Sequence, residues 1–266
     1  MQAVAIIQAR IDSTRLPGKV LHPLGEQPML WHVVRRVRAA PGVDQVVVAT
    51  SEEDRDDPIR DLCRAHDIPC FAGSKTDVLD RFYHCANAYR ADPILRITAD
   101  CPLIDPHLIG RVLECYRAGG YDHFGLATGA GASTMDDRRF PDGLDVECFS
   151  LETLAVAWKS AESELEREHV TPFIWKNPHR FELGVLMADR DYSQLRWTVD
   201  NREDLEVVEK IYGALWKEES PPFSMGDVLG FLEDHPEVAA HNRRFIGLEG
   251  YEEISADDPD KELTGT

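Results

Sequence analysis

The sequence lacks every short signature by which a chain that handles nucleotides or metals is most readily recognised. Its six cysteines (Cys63, Cys70, Cys85, Cys101, Cys115 and Cys148) contain no CxxC pair. There is no Gly-x4-Gly-Lys-Ser/Thr phosphate loop and no Gly-x-Gly-x2-Gly dinucleotide turn. No apolar run reaches the ~18 residues a membrane span needs, no charged-then-apolar leader opens the chain, and no segment repeats. Positive charge is scarce: 29 Lys and Arg stand against 48 Asp and Glu in 266 residues, a net charge of −19. Such a surface repels phosphodiester backbones and anionic lipid, so neither a nucleic-acid partner nor a membrane partner is expected. The expected location is cytoplasmic, with the scattered cysteines as reduced thiols. Cys63-x2-His66-x3-Cys70 offers three ligand types where a structural zinc needs four, so zinc is not expected there.

What is present is a strand–helix alternation. Apolar, β-branched runs predict strands at Ala3–Gln8, Gln45–Thr50, Pro69–Ala72, Ile94–Ala99, Tyr121–Ala127, Phe181–Met187 and Leu195–Val199. Between them Leu30, Val33, Val34 and Val37 recur at helical spacing, with Arg35, Arg36 and Arg38 off the stripe. Asp105-Pro106 opens a second helix, carried by Leu108, Ile109, Val112, Leu113 and Tyr116 and closed by Gly119-Gly120. Asn201 caps a third, through Leu205, Val208, Ile211 and Leu215. This order implies an α/β fold with a mostly parallel sheet flanked by helices on both faces, and such sheets bind ligands beyond the carboxyl ends of their strands. One domain is expected over residues 1–246, with a projecting loop or arm around 121–150 that includes the Gly- and Asp-rich stretch Gly129–Gly143. Residues 247–266 form an acidic tail, expected to be disordered.

Three strand exits carry charge. The first, Gln8-Ala9-Arg10-Ile11-Asp12-Ser13-Thr14-Arg15-Leu16-Pro17-Gly18-Lys19, gathers three cations within ten residues of an otherwise acidic chain. Arginine forks and a lysine point charge suit a triphosphate. The second places Asp100 at the tip of an apolar strand, and the third places Asp200 after Leu195–Val199. Either acid alone reads equally well as a turn or cap residue; Asp105 has a structural role as a cap. Two carboxylates at one end of a sheet, facing a cation-rich loop, could share one Mg²⁺, which takes one or two carboxylates plus substrate phosphates.

These residues also carry a resemblance. The Gln8–Leu21 loop, Thr76-Asp77-Val78-Leu79-Asp80-Arg81-Phe82, Arg96–Pro106, Phe140-Pro141-Asp142-Gly143-Leu144-Asp145-Val146-Glu147, Glu166-Arg167-Glu168-His169-Val170-Thr171-Pro172 and Arg196–Leu205 stand in family order. The chain thus resembles the CMP-sugar synthetases (acylneuraminate and 3-deoxy-octulosonate cytidylyltransferases), in particular their spore-coat polysaccharide branch. The resemblance implies a Rossmann-like nucleotidyltransferase (GT-A-like) fold, a homodimer, and a sugar hydroxyl attacking the α-phosphorus of CTP with loss of pyrophosphate. It implies that Ala9, Arg10, Ser13, Arg15, Lys19 and Arg81 contact the nucleotide, with Thr50 near the base. Asp100 and Asp200 would hold Mg²⁺, with Lys19 and Arg10 also catalytic. Asp142, Gly143, Asp145 and His169 would lie near the acceptor. The family's usual glycine is replaced by Asp12, which puts a negative charge beside the expected triphosphate.

Other readings stay open from sequence alone. A sugar-1-phosphate nucleotidylyltransferase would bring a Gly-x-Gly-x-Arg loop, and a glycosyltransferase an Asp-x-Asp pair; Asp100-Cys101-Pro102 supplies no such pair. A non-catalytic nucleotide-binding subunit of the same fold is the third reading.

Overall fold

In the computed structural model, which describes residues 2–128 and 138–247, the most buried segment is the first one. Strand β1 (Gln2–Gln8) holds Ala3 to Ile7 with no exposure to solvent. Its alternate side chains feed two separate cores: Ala3, Ala5 and Ile7 face one, Val4 and Ile6 the other. A strand buried on both faces needs covering layers on both, and the remaining elements supply them.

In chain order these are β2 (Pro23–Leu24) and β3 (Gln27–Pro28), a two-stranded ribbon, then α1 (Met29–Arg38), β4 (Gln45–Ser51), α2 (Asp57–Ala65), β5 (Cys70–Gly73), α3 (Val78–Ala88), β6 (Ala91–Thr98) and α4 (Pro106–Gly119). After these come β7 (His123–Leu126), β8 (Glu147–Phe149), α5 (Leu151–Ser160), α6 (Glu164–His169), α7 (Pro172–Trp175), β9 (Leu183–Leu186), α8 (Arg202–Leu215), α9 (Met225–Asp234) and α10 (Pro236–His241). The main sheet has the order β5-β4-β1-β6-β8-β7-β9. All pairings are parallel except the two made by β8, so the sheet is mostly parallel, as expected. Helices α1, α4 and α8 pack on the Ala5/Ile7 face, and α3, α5 and α7 on the Val4/Ile6 face.

The expected strands are found with shifted ends, apart from one. Leu195–Val199 is extended but is not a strand of the sheet; it makes a single bridge, Asp142 to Arg196. Its backbone hydrogen bonds go to loops: Asp142 N–H donates to Leu195 O, Trp197 N–H to Asp142 O, and Val199 N–H to Asp100 O. Its apolar alternation is real, since Trp197 and Val199 are buried. That pattern reports an apolar side packed into the core, with Arg196 and Thr198 buried among the loops on the other side, and not ladder pairing. Conversely β8 was not foreseen, because three residues are too few for period-2 alternation to register. Of the expected arm, His123–Leu126 and Glu147–Phe149 belong to the sheet as β7 and β8 and 138–146 form the loop before β8, while 129–137 lie outside the described residues, as does the acidic tail beyond Gly247. All six cysteines are free thiols, and Cys63-His66-Cys70 forms no metal-ligating group among the described residues. No described helix is long and apolar enough to cross a membrane.

Strand β8 brings a charge into the sheet. Glu147 lies between Arg96 of β6, at 2.5 Å, and His123 of β7, at 2.9 Å. Burial alone would raise the Glu147 carboxyl; the Arg96 guanidinium and the His123 ring outweigh it and hold the pKa at about 2. A carboxylate depressed on folding stabilises above its ordinary pKa near 4.5, and that contribution is lost as pH falls toward 2. Acid denaturation followed by circular dichroism should therefore lose stability more steeply between about pH 5 and pH 2 in the unaltered protein than in Glu147→Gln; equal slopes would refute this.

Gly143 is a second constraint. Its φ is +98°, and a Cβ there would meet Thr198 N at 2.3 Å and Trp197 C at 2.5 Å. Only glycine lets the 140–145 loop lie on the 196–200 segment. Gly143→Ala should cost roughly 2–5 kcal/mol. The control Gly120→Ala, at φ +68° with nothing within 4 Å, should cost only about 1–2 kcal/mol. Urea midpoints at matched slope compare the two.

Candidate active site

The site is built from segments that leave the carboxyl ends of β1 and β6 and the extended stretch before α8. After β1 the chain folds back on itself: Gly18 N–H donates to Ile11 O at 3.0 Å and Leu16 N–H to the Ser13 hydroxyl at 3.3 Å. Gly18, at φ +74°, makes the turn into the single 3-10 turn Lys19–Leu21. The loop is tied down from the next strand exit by Asp56, which is buried and accepts from Ile11 N–H at 2.8 Å and from the Ser51 hydroxyl.

Lys19 lies at the centre. Its Nζ donates to Asp100 Oδ2 at 2.8 Å, Asp200 Oδ1 at 2.7 Å and Val199 O at 2.7 Å. With 8% exposure, burial opposes its charge, but the two carboxylates more than compensate and push its pKa above the ordinary lysine value. Arg15 reaches Asp200 at 3.2 Å. Arg196, 3% exposed, holds the far side: Nη2 to Asp200 at 2.8 Å, Nη1 to Asp142 at 2.7 Å and Nε to Asp204 at 3.1 Å. Asp204 in turn caps α8 through the N–H groups of Asp200 and Asn201.

The structure therefore brings Lys19, Arg15, Asp100 and Asp200 to one point, with Asp142 one guanidinium away. Asp105 is the helix cap expected of it, accepting from His107 and Leu108 N–H. Arg10 turns toward α6, pairing with Glu168 at 3.0 Å. Arg81 is buried; its Nη1 donates to Ser74 O at 2.6 Å. Burial first, then the Arg10 charge, lower its pKa to about 10, so the two guanidiniums share one electrostatic neighbourhood.

Other expected residues have more structural surroundings. Thr50 is fully buried within β4, paired with Ala72 rather than in the loop beyond, and its hydroxyl has no hydrogen-bond partner among the described residues. Ala9 is fixed to the sheet by its N–H to Ala49 O. Asp145 uses both carboxylate oxygens inside its own loop, accepting from the Thr128 hydroxyl at 2.5 Å and Gly143 N–H at 3.0 Å, with burial raising its pKa. It shapes the loop that carries Asp142. His169 ends α6, and burial, then the Arg96 charge, lower its pKa. The next residue, Val170, sits at φ +73°, a strained position for a β-branched side chain.

Asp12 is not where its charge would oppose a phosphate unaided. Its backbone is not left-handed, so the loop adopts no glycine-only conformation there. Its carboxylate is paired with Arg55 and, at 3.4 Å, with Lys75, and the hydrogen bond from Arg55 is the main force lowering its pKa.

Sequence reading missed Arg196, Asp56, Glu168 and Asp204 as supports of the site. A charged residue inside the apolar stretch Leu195–Val199 was the available signal for Arg196. Asp56 and Glu168 sit in polar helix-end sequence where nothing distinguishes them.

Comparisons with known proteins agree with this architecture. The cytidylyltransferase family model matches residues 4–253. The spore coat polysaccharide biosynthesis protein SpsF of Bacillus subtilis is 32% identical over 241 residues, covering 88% of this chain and 95% of that protein. The 3-deoxy-manno-octulosonate cytidylyltransferase of Trichlorobacter lovleyi is 38% identical over 114 residues, 43% of this chain and 44% of its own. A solved cytidylyltransferase from Leptospira borgpetersenii superposes with a TM-score of 0.81 at 29% identity, covering 90% of this chain and 97% of that one. With a family model matched along nearly its whole length, the chain belongs to the cytidylyltransferase family.

Proposed function

We propose that this protein transfers CMP from CTP to a hydroxyl of a sugar or sugar acid, releasing pyrophosphate, with Arg10, Arg15, Lys19 and Arg81 binding the triphosphate and Asp100 and Asp200 holding Mg²⁺. The observation that carries this reading is the convergence of Asp100 and Asp200 on one cation, the Lys19 ammonium.

Two carboxylates that bracket an ammonium at hydrogen-bond distance have the charge and spacing to share a metal ion instead. No group of three or more His, Cys, Asp or Glu lies there among the described residues, so the remaining ligands would be phosphate oxygens and water, the usual shell of Mg²⁺. When bound, the ion would polarise the α-phosphate and acidify the attacking hydroxyl. The protein's own part is placement and charge. Arg10 and Arg15, half exposed at the loop, can move from Glu168 and Asp200 to phosphate oxygens, gaining bidentate geometry. Arg196 fixes the Asp200 carboxylate and, through Asp142, the loop expected to border the acceptor. Nucleotidyl transfer asks chiefly for aligned partners and neutralised charge, and the cations of this loop, with the carboxylates that Arg196 holds in place, supply both. The family relatives support a surface-polysaccharide role and a sugar-acid acceptor; a cytoplasmic homodimer is part of the same proposal.

Incubation with CTP, Mg²⁺ and a panel of sugar acids should release pyrophosphate with at least one acceptor and none after chelation. Asp100→Asn and Asp200→Asn should each lower turnover by roughly a hundredfold or more while the chain stays folded by circular dichroism. Full activity in both variants, or failure of CTP to bind at all, would overturn the assignment.

A further inference from the structure

The free site is electrically closed on itself. Arg10 is held by Glu168, Arg15 by Asp200, and Lys19 by Asp100 and Asp200. Asp12 is likewise held by Arg55 and Lys75. Lys19 is the decisive member. An ammonium has three hydrogens to donate, and here Asp100, Asp200 and Val199 O take one each at 2.7–2.8 Å. No donor is left for a phosphate while these bonds stand. Among the described residues, Lys19, Arg15 and Arg196 all pair with Asp200. A divalent ion arriving alone would have to enter between the two carboxylates against these positive charges, in a place where Lys19 is almost without water to move into.

We infer that Lys19 is a built-in substitute for the divalent metal. Ammonium and metal occupy the Asp100–Asp200 position in turn, and a nucleotide triphosphate, by drawing Lys19 onto its phosphates, opens that position. The inference rests on the reading of Asp100 and Asp200 as metal ligands. Its consequence is that metal and triphosphate bind as coupled ligands: each raises the affinity for the other, reciprocally, because both act on the same exchange of partners. The free protein then binds little metal and keeps its two acids neutralised without a ligand. Among the described residues, the charged groups facing the position are Arg15 and Lys19 from the first loop, Asp100 from the β6 exit, Asp200 from the stretch before α8, and Arg196 and Asp142 from the crossing segments.

The test is direct metal binding by the full chain with Mn²⁺ alone, counted by electron paramagnetic resonance of the free ion and requiring no turnover. The unaltered protein should bind Mn²⁺ weakly. Lys19→Met should bind it at least about tenfold more tightly, since two charge-assisted hydrogen bonds no longer compete. Lys19→Arg, which keeps the charge, should remain weak, and adding Asp100→Asn to Lys19→Met should remove the gain. Binding by the unaltered protein as tight as by Lys19→Met, abolished by Asp100→Asn, would overturn the inference. Should Lys19→Met not fold, the Lys19 ¹⁵Nζ resonance of the unaltered protein gives the second measurement. It should be unmoved by Mg²⁺ alone and shift when CTP and Mg²⁺ are present together, and a shift with Mg²⁺ alone would refute the exchange. An enzyme inactive toward every acceptor would defeat the proposed reaction and leave these metal measurements to decide the inference separately.

Discussion

A lysine ammonium with little access to water joins the three chain segments on which the site stands. Lys19 comes from the loop after β1, Asp100 from the exit of β6, and Asp200 from the stretch before α8. Backbone bonds such as Val199 N–H to Asp100 O and Ala99 N–H to Gln8 O bring these segments alongside one another, and the charge–charge contact ties the Lys19 loop across both carboxylates. Removing the ammonium from water is costly, and only the two carboxylates and the Val199 carbonyl, all within 2.8 Å, offset it. Such pairs contribute less to net stability than to fixing one arrangement among several. Here the arrangement fixed is the one on which the proposed metal–nucleotide site rests.

Arg196 extends that constraint outward. Its guanidinium, buried among Asp142, Asp200 and Asp204, is a planar fork satisfied on three sides. Through Asp204 it is coupled to the start of α8 and through Asp142 to the loop after β7. Gly143 lets that loop come close enough for the fork to reach, because a side chain at this position would strike the Trp197–Thr198 backbone. The extended Leu195–Val199 stretch is the framework for this arrangement, and its hydrogen bonds run to the Asp142 and Asp100 loops. A segment that looks in sequence like a further strand of the sheet is instead the clamp that holds two functional loops together.

The sheet faces separate two kinds of work. The face carrying α1, α4 and α8 has an apolar core closed by well-capped helices: Asp105 accepts from His107 and Leu108 N–H, and also from Met225 N–H at the start of α9. On the other face, toward the carboxyl ends of the strands, polar groups enter the sheet as Arg96, Glu147 and His123. Near their level lies Arg10, paired with Glu168 beside His169 and the strained Val170. Strain of this kind costs about 1–3 kcal/mol and persists only where surrounding contacts enforce it.

The sequence alone settled what depends on local pattern. Apolar periodicity gave the parallel α/β frame, and capping chemistry gave the starts of α4 and α8. The concentration of Arg10, Arg15 and Lys19 in an acidic chain marked the loop after β1 as a candidate anion site. Acids at Asp100 and Asp200 were legible as candidates because each follows an apolar run. Only the tertiary structure decided which of these charges meet. Partners 81 and 181 residues apart leave no trace in periodicity, so the Lys19 clasp, the roles of Arg196 and Asp56, and the pairing of Asp12 with Arg55 and Lys75 were not readable. The short β8 and the Leu195–Val199 stretch, which lies outside the sheet, follow the same logic. Burial writes the alternation seen in sequence, whereas hydrogen-bond partners are assigned by whatever backbone the folded chain brings alongside.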